Sequence, residues 1–148
     1  MKMYFYIVLV ALFMSCSSDD DINYDAKNEA DIVKYIADNN LSATKSNSGL
    51  YYIISSEGNG TRPTVTSNVK VAYKGYFLNG DIFDQNTAGV EFNLQEVIKG
   101  WTEGITYFKE GGKGVLLVPS KLGYGSNGRS GIPGGSVLIF DINLLEVN

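Results

Sequence analysis

The sequence predicts an α+β domain that combines several antiparallel strands with one short helix. After Gly49 the apolar residues alternate with the period of a strand. The dipeptide Asn79-Gly80 lies between two such runs, and this pair is a strong signal for a β-hairpin. The single tryptophan, Trp101, has a glycine one residue before it and another three residues after it, so any helix around it should be short.

The N-terminal segment predicts a signal peptide in residues 1–15. Lys2 precedes an apolar run from Met3 to Met14, which is shorter than the roughly 20 residues that a membrane-spanning helix needs. A basic start followed by a short apolar run is typical of an exported protein. The alternative is a buried core helix, which the N-terminal position makes the weaker interpretation.

The segment "FMSC" ends at Cys16 and resembles a bacterial lipobox, although Phe13 replaces the usual leucine. The resemblance implies that Cys16 is acylated and anchors the protein to the outer membrane, facing either the periplasm or the cell surface. Residues 16–23 would then form an acidic linker. Its "SSDDD" stretch from Ser17 to Asp21 is either a solvated spacer or, by resemblance, the export signal of surface lipoproteins in the Bacteroidetes group.

Residues 24–48 predict an N-terminal helix followed by a polar connector. The helix should extend from Tyr24 to Asn39, with Asp25 as its cap and Asn39-Asn40 at its end. Its apolar stripe should comprise Ala26, Ala30, Val33 and Ala37, with Ile36 beside them. This stripe could pack on the domain or on another copy of the chain, which leaves the oligomeric state open.

Further strands follow the connector. "LYYII" and "GVLLVP" are short apolar runs typical of buried strands, and Pro119 ends the second. In the last run one predicted face contains Leu138, Phe140, Ile142 and Leu144, and the opposite face contains Ile139, Asp141 and Asn143.

The composition excludes several classes of function. The chain of 148 residues has no histidine, which removes imidazole acid–base chemistry, Ser-His nucleophiles and histidine metal sites. Its single cysteine cannot form a disulfide framework. A net charge of −4 without basic clusters argues against nucleic acid as a partner. We therefore expect neither a metal nor a cofactor.

Four separated segments nevertheless resemble one family. They are "VAYKG", "DIFD", "EFNLQEVIKGW" and "VPSKLGYGSNGRSGIPGGSVLIFDINLLEV". In this order and spacing they are similar to FKBP-type peptidyl-prolyl cis/trans isomerases, the macrolide-binding immunophilins. The resemblance covers residues 49–148 and implies a curled antiparallel sheet wrapped around one short helix, with Trp101 as the floor of a pocket between them.

The resemblance also implies the site residues. Asp84, Tyr124 and Trp101 would act in catalysis, with Asp84 at the rim and the Tyr124 hydroxyl donating to a peptide carbonyl. From sequence alone, Asp84 could equally cap a turn. The residues that would surround the prolyl ring are Tyr73, Phe83, Phe92, Val97, Ile98, Ile132 and Phe140.

The implied substrates are proline-containing polypeptides in the cell envelope, and macrolide inhibitors are candidate ligands. An apolar pocket can favour the twisted amide without a nucleophile, so the absence of histidine is no objection. The glycine-rich flap, residues 123–135, departs from the family pattern because Gly134 follows Pro133 and Arg129 occupies a variable position. The alternative is a non-catalytic immunophilin module that binds clients in a surface, motility or secretion complex; a sugar-binding surface lipoprotein is a weaker third interpretation.

Overall fold

The computed structural model of the protein describes residues 22–148. The predicted signal peptide and Cys16 lie outside this range. The helices are α1 (Tyr24–Asp38) and α2 (Lys99–Gly104), and single 3-10 turns cover Ile105–Tyr107 and Ser120–Leu122. The strands are β1 (Thr44–Lys45), β2 (Tyr51–Ser56), β3 (Asn68–Tyr76), β4 (Ile82–Asn93), β5 (Lys113–Val118) and β6 (Leu138–Val147).

The strands form one six-stranded sheet in the order β1-β2-β5-β6-β3-β4, and every pair in it is antiparallel. The predicted α+β class is therefore confirmed. The face of β6 that contains Leu138, Phe140 and Leu144 packs towards α2, whereas Ile139 belongs to the core on the opposite face. The alternation predicted for this strand is thus confirmed.

The predicted hairpin joins β3 to β4 through residues 77–81. Its tip is a turn in which the Gly80 N–H donates to the Phe77 carbonyl at 2.9 Å. A second bond from the Phe77 N–H to the Asp81 carbonyl closes the loop at 2.9 Å. The turn therefore lies at Asn79-Gly80 as predicted, within a loop longer than the two residues that this dipeptide most often forms.

Helix α2 lies close to β5, and its buried residues on that side are glycines. A Cβ atom on Gly100 would lie 2.5 Å from Cγ1 of Val118, and one on Gly104 would lie 2.7 Å from Cδ1 of Leu116. Larger side chains at these positions would force the helix away from the strand. The two glycines thus set the depth at which Trp101 enters the core.

Helix α1 covers the opposite face of the sheet. Ile32 is fully buried there, and Tyr35 and Ile36 pack against the same cluster. The predicted stripe is wrong, since Ala26, Ala30, Val33 and Ala37 are all exposed. The longer Tyr and Ile side chains contact the sheet instead, and they fill more of the space above it than alanines can.

The cap of α1 also differs from the prediction. The Asn23 side chain, rather than Asp25, accepts a hydrogen bond from the Ala26 N–H at 3.1 Å. The helix ends at Asp38 with Asn39 as its C-cap, one residue before the predicted end. In the connector, Thr44 and Lys45 pair with β2 and extend the sheet by one short strand.

Within residues 22–148, no helix combines the length and apolar character needed to cross a membrane.

Candidate functional site

An apolar pocket of about 480 Å³ opens between α2, strands β3, β4 and β6, and the flap. Trp101 lies at its base and is only 4% exposed, so the ring is packed from below and reaches the pocket with a small part of its surface. The residues lining the pocket are Tyr73, Phe83, Asp84, Phe92, Glu96, Val97, Ile98, Trp101, Tyr124, Arg129 and Phe140.

The floor of the pocket is a cluster of aromatic rings in edge-to-face contact. The ring of Trp101 lies 5.1 Å from Tyr73, 5.2 Å from Phe92 and 5.4 Å from Phe140, with interplanar angles near a right angle. Phe83 continues the cluster at 5.6 Å from Phe140. Edge-to-face pairs are the favoured geometry for aromatic side chains, so the walls of the pocket hold one another in place.

The indole N–H of Trp101 is buried and has no hydrogen-bond partner among the described residues. Because Nε1 is shielded from solvent, it cannot donate to a molecule in the pocket in this conformation. Trp101 therefore contributes an apolar surface to the site rather than a hydrogen bond.

Asp84 lies on the exposed rim, where its carboxylate accepts a hydrogen bond of 2.7 Å from the Tyr73 hydroxyl. Burial and this hydrogen bond raise the pKa of Tyr73 to about 12. Tyr73 is therefore protonated at neutral pH and holds the carboxylate in place. Asp84 lies within β4 and its side chain bonds to the neighbouring strand, which is a different role from the turn cap that the sequence left open.

Tyr124 reaches the pocket from the flap, and Arg129 covers it. The Arg129 guanidinium lies 4.9 Å from the centre of the Tyr124 ring, and its Nη1 donates to the tyrosine oxygen at 3.2 Å. A tyrosine hydroxyl can accept and donate at the same time. Because Arg129 occupies an acceptor position, the hydroxyl hydrogen of Tyr124 remains free to donate to a peptide carbonyl.

Ile98 lies on the wall of the pocket as the residue before α2, and its carbonyl accepts from the N–H groups of Trp101 and Thr102. The first N–H groups of a helix lack partners within the helix. The backbone at Ile98 is therefore a second place where a substrate carbonyl could be bound.

The structure brings together nine of the ten predicted active-site and binding residues around this one pocket. The exception is Ile132, which is buried within the flap and lines an adjoining space of about 300 Å³ with Tyr124 and Asp84. Glu96 was not predicted. It lies on the rim directly before Val97. In the sequence, an acidic residue at the rim of a pocket looks the same as any other acidic residue in a surface loop.

An antiparallel sheet over a short helix, with a tryptophan-floored aromatic pocket between them, defines the architecture of one class of protein-folding enzymes. The sequence profile of that family, described as FKBP-type peptidyl-prolyl cis-trans isomerase, matches residues 60–145. The chain belongs to this family.

Two relatives support the assignment. The chain is 44% identical over 108 residues to the FKBP-type peptidyl-prolyl cis-trans isomerase FkpA of Buchnera aphidicola, covering 70% of this chain and 43% of the relative. It is 41% identical over 133 residues to a probable FKBP-type isomerase of Haemophilus influenzae, covering 87% and 55%. The chain thus spans about half the length of these relatives.

Solved structures show the same fold. The crystal structure of FkpA from Escherichia coli superimposes with a TM-score of 0.75 at 38% identity, covering 83% of this chain and 60% of that one. A peptidyl-prolyl cis-trans isomerase from Pseudomonas syringae gives a TM-score of 0.74 at 30% identity, covering 86% and 98%. The second match includes nearly the whole of that solved chain.

Proposed function

We propose that the protein is a peptidyl-prolyl cis/trans isomerase that assists the folding of proline-containing polypeptides in the cell envelope. The observation that supports this most directly is the aromatic pocket, in which Trp101, Tyr73 and Phe140 surround a space large enough for a prolyl ring. The same pocket is the site that we assign to macrolide inhibitors, which would compete with the peptide.

The pocket would work without covalent chemistry. Rotation about a peptide bond faces a barrier of ~18–20 kcal/mol, because resonance keeps the amide planar. The planar amide is more polar than the twisted one, so a site that excludes water favours the twisted state. An acceleration of about 10⁴ needs only about 5.4 kcal/mol of preferential stabilisation.

The polar groups would hold the peptide while it rotates. Tyr124 can donate to the carbonyl on one side of the proline, since Arg129 occupies only its acceptor side. Asp84, held by Tyr73, places a negative charge beside the twisting amide. Such fixed groups contribute when they interact more strongly with the transition state than with the planar peptide.

Replacing the rim carboxylate tests this function. We expect Asp84→Ala to lower kcat/KM for X-Pro peptides by about tenfold, less than the 10²–10³ typical of groups in closed sites, because Asp84 is exposed. Tyr73→Phe removes the hydrogen bond and leaves the charge, so we expect a smaller loss. The measurement is a protease-coupled isomerisation assay of the full chain in mild detergent.

Asp81→Ala provides a matched control, since it removes the same charge from an exposed acid that does not line this pocket. Its activity should equal that of the wild type. If the folded wild-type protein accelerates isomerisation at no concentration yet still binds proline-containing peptides, the binding-only immunophilin module replaces our proposal.

We further propose that Cys16 carries the lipid anchor and that the domain is held at the outer membrane as a lipoprotein of the Bacteroidetes kind, facing either the periplasm or the cell surface. The lipobox-like "FMSC" and the acidic "SSDDD" stretch support this proposal. Helix α1 begins at Tyr24, so residues 16–23 would tether the domain within about 29 Å of the membrane, at 3.6 Å per extended residue.

Metabolic labelling with a radioactive fatty acid tests the anchor. We expect label on the wild-type chain and none on Cys16→Ala; because the chain has a single cysteine, no other thiol can carry the lipid. Equal labelling of both proteins, or of neither, would contradict the proposal. Protease treatment of intact cells then decides the orientation, since only a surface-facing domain is degraded.

A further inference from the structure

The flap that carries Tyr124 and Arg129 is attached to the sheet at two points, Ser120 after β5 and Gly135 before β6. Two backbone bonds close its base. The Gly125 N–H donates to the Ser120 carbonyl at 2.8 Å, and the Gly135 N–H donates to the Gly125 carbonyl at 2.9 Å. Because Gly125 is bonded to both anchor residues and directly follows Tyr124, a displacement of either anchor would also displace Tyr124.

Helix α1 contacts both anchor residues through one buried side chain. Asn28 is only 1% exposed. Its Nδ2 donates to the Gly135 carbonyl at 2.9 Å. Its Oδ1 accepts from the Ser120 N–H at 2.8 Å and from the Ser120 hydroxyl at 2.6 Å. One amide thus joins the two ends of the flap, which are 15 residues apart in the sequence.

A second contact holds the same place. The ring of Tyr24 lies so close to Gly135 that a Cβ atom there would overlap Cε1 of the ring. The first turn of α1 therefore packs directly on the end of the flap. Both contacts come from a helix that precedes the part of the chain matched by the family profile, residues 60–145.

The docking of α1 does not itself need an asparagine. Ile32, one turn further along the same face, is fully buried among apolar side chains such as Leu117 and Ile139. A buried amide lowers the free energy only where its donor and its acceptor are both paired. The partners of Asn28 are polar groups at the ends of the flap, so its position is matched to the flap rather than to the sheet.

We propose that α1, through Asn28, sets the position of the flap over the pocket, which makes Asn28 a positioning residue for isomerisation. It acts through Tyr124, which follows Ser120 by four residues. This inference rests on the proposed isomerase function. It adds that the catalytic unit includes α1, which precedes the residues matched by the family profile.

The test compares Asn28→Ala with Ile32→Val in the full chain. Both variants remove buried atoms from the inner face of α1, but only the first frees the flap. We expect Asn28→Ala to lower kcat/KM by about fivefold, chiefly through kcat, because Tyr124 is no longer held in place. Ile32→Val should keep kcat/KM near that of the wild type, measured well below the unfolding temperature of each variant.

Amide hydrogen exchange provides a readout that a loss of stability alone would not move. In Asn28→Ala we expect the amides of Gly125 and Gly135 to exchange about tenfold faster, while those of β5 and β6 stay protected. If both variants match in activity and in flap exchange, the proposal is wrong. Loss of activity without faster flap exchange would overturn it as well.

Tyr24→Ala is the second variant should Asn28→Ala fail to fold, since it removes the other contact with Gly135 from a half-buried position at the helix start. It should show the same two effects, and wild-type values for both would refute the proposal. If the wild type itself catalyses no isomerisation, the proposed function fails, while the exchange comparison still decides whether α1 holds the flap.

Discussion

Trp101→Ala is expected to abolish most of the isomerase activity and to destabilise the protein by about 3–5 kcal/mol. Trp101 is only 4% exposed and its ring contacts Tyr73, Phe92 and Phe140, so its deletion leaves a cavity where the floor of the pocket was. Loss of half of the ~5.4 kcal/mol that a 10⁴-fold acceleration requires would lower kcat/KM by about 100-fold. Urea unfolding and the peptide assay measure the two effects.

Phe108→Ala is the matched control. Phe108 is a fully buried aromatic residue of the same core cluster, but it does not line the pocket. Its removal should cost a similar free energy of unfolding and leave kcat/KM of the folded protein within about threefold of the wild type. The roles assigned to the pocket would be wrong if Trp101→Ala kept more than half of the wild-type activity, or if both variants lost activity equally.

Trp101→Phe tests whether activity needs the full size of the indole or only an aromatic ring at the floor of the pocket. Phenylalanine keeps an aromatic surface and loses part of the volume, and the indole N–H that it removes has no partner among the described residues. We therefore expect an intermediate activity, with less destabilisation than in Trp101→Ala. This variant also tests the pocket if Trp101→Ala does not fold.

The features that the sequence predicted correctly depend on neighbouring residues. The alternation in β6 and the hairpin at Asn79-Gly80 follow from local periodicity and turn chemistry. The order of the strands in the sheet does not follow from such local patterns. Val71 of β3 pairs with Leu144 of β6, residues that are distant in the sequence. Such pairing is decided when the whole core assembles, and a single sequence carries no local signal for it.

The N-terminal helix shows why a correct element can have the wrong face assigned. The extent of α1 was predicted to within one residue, but its small apolar residues face solvent while Asn28 and Ile32 are buried. A hydrophobic stripe cannot identify a buried asparagine, because the groups that satisfy it, Ser120 and Gly135, are about 100 residues away in the sequence.

The site residues were assigned from the family resemblance, and the structure supplies the contacts between them. Tyr73 and Asp84 meet because β3 and β4 are paired, and this hydrogen bond could not be inferred from the two motifs separately. The cover that Arg129 forms over Tyr124 depends on the conformation of the flap. Residue identity thus indicated the site, whereas its hydrogen-bond directions required the fold.

Gly100→Ala should displace the floor of the pocket without changing any residue that lines it. Its new Cβ would lie 2.5 Å from Cγ1 of Val118, a fully buried side chain, and 3.3 Å from the Leu122 carbonyl oxygen. Alanine favours a helix by about 1 kcal/mol over glycine, but overpacking of this kind costs about 1–3 kcal/mol. We expect a net loss of stability and a helix pushed away from β5.

Because Trp101 is the next residue, even a small displacement of α2 moves the pocket floor, and a 1 Å misplacement can cost about 100-fold in rate. We therefore expect kcat/KM to fall by at least about tenfold in Gly100→Ala. The protein has one tryptophan, so a shift of its fluorescence emission reports the movement directly. Unchanged emission together with wild-type activity would show that α2 does not depend on this close approach.

The double variant Gly100→Ala/Val118→Ala links the two effects to a single contact. Removing the Val118 methyl groups makes room for the new Cβ, so activity and emission should return towards the wild-type values, and the two substitutions should be strongly non-additive. Val118→Ala alone should lose stability by forming a cavity but leave the tryptophan in place. Simple additivity would mean that Gly100 acts through the flexibility of α2 instead of its distance from β5.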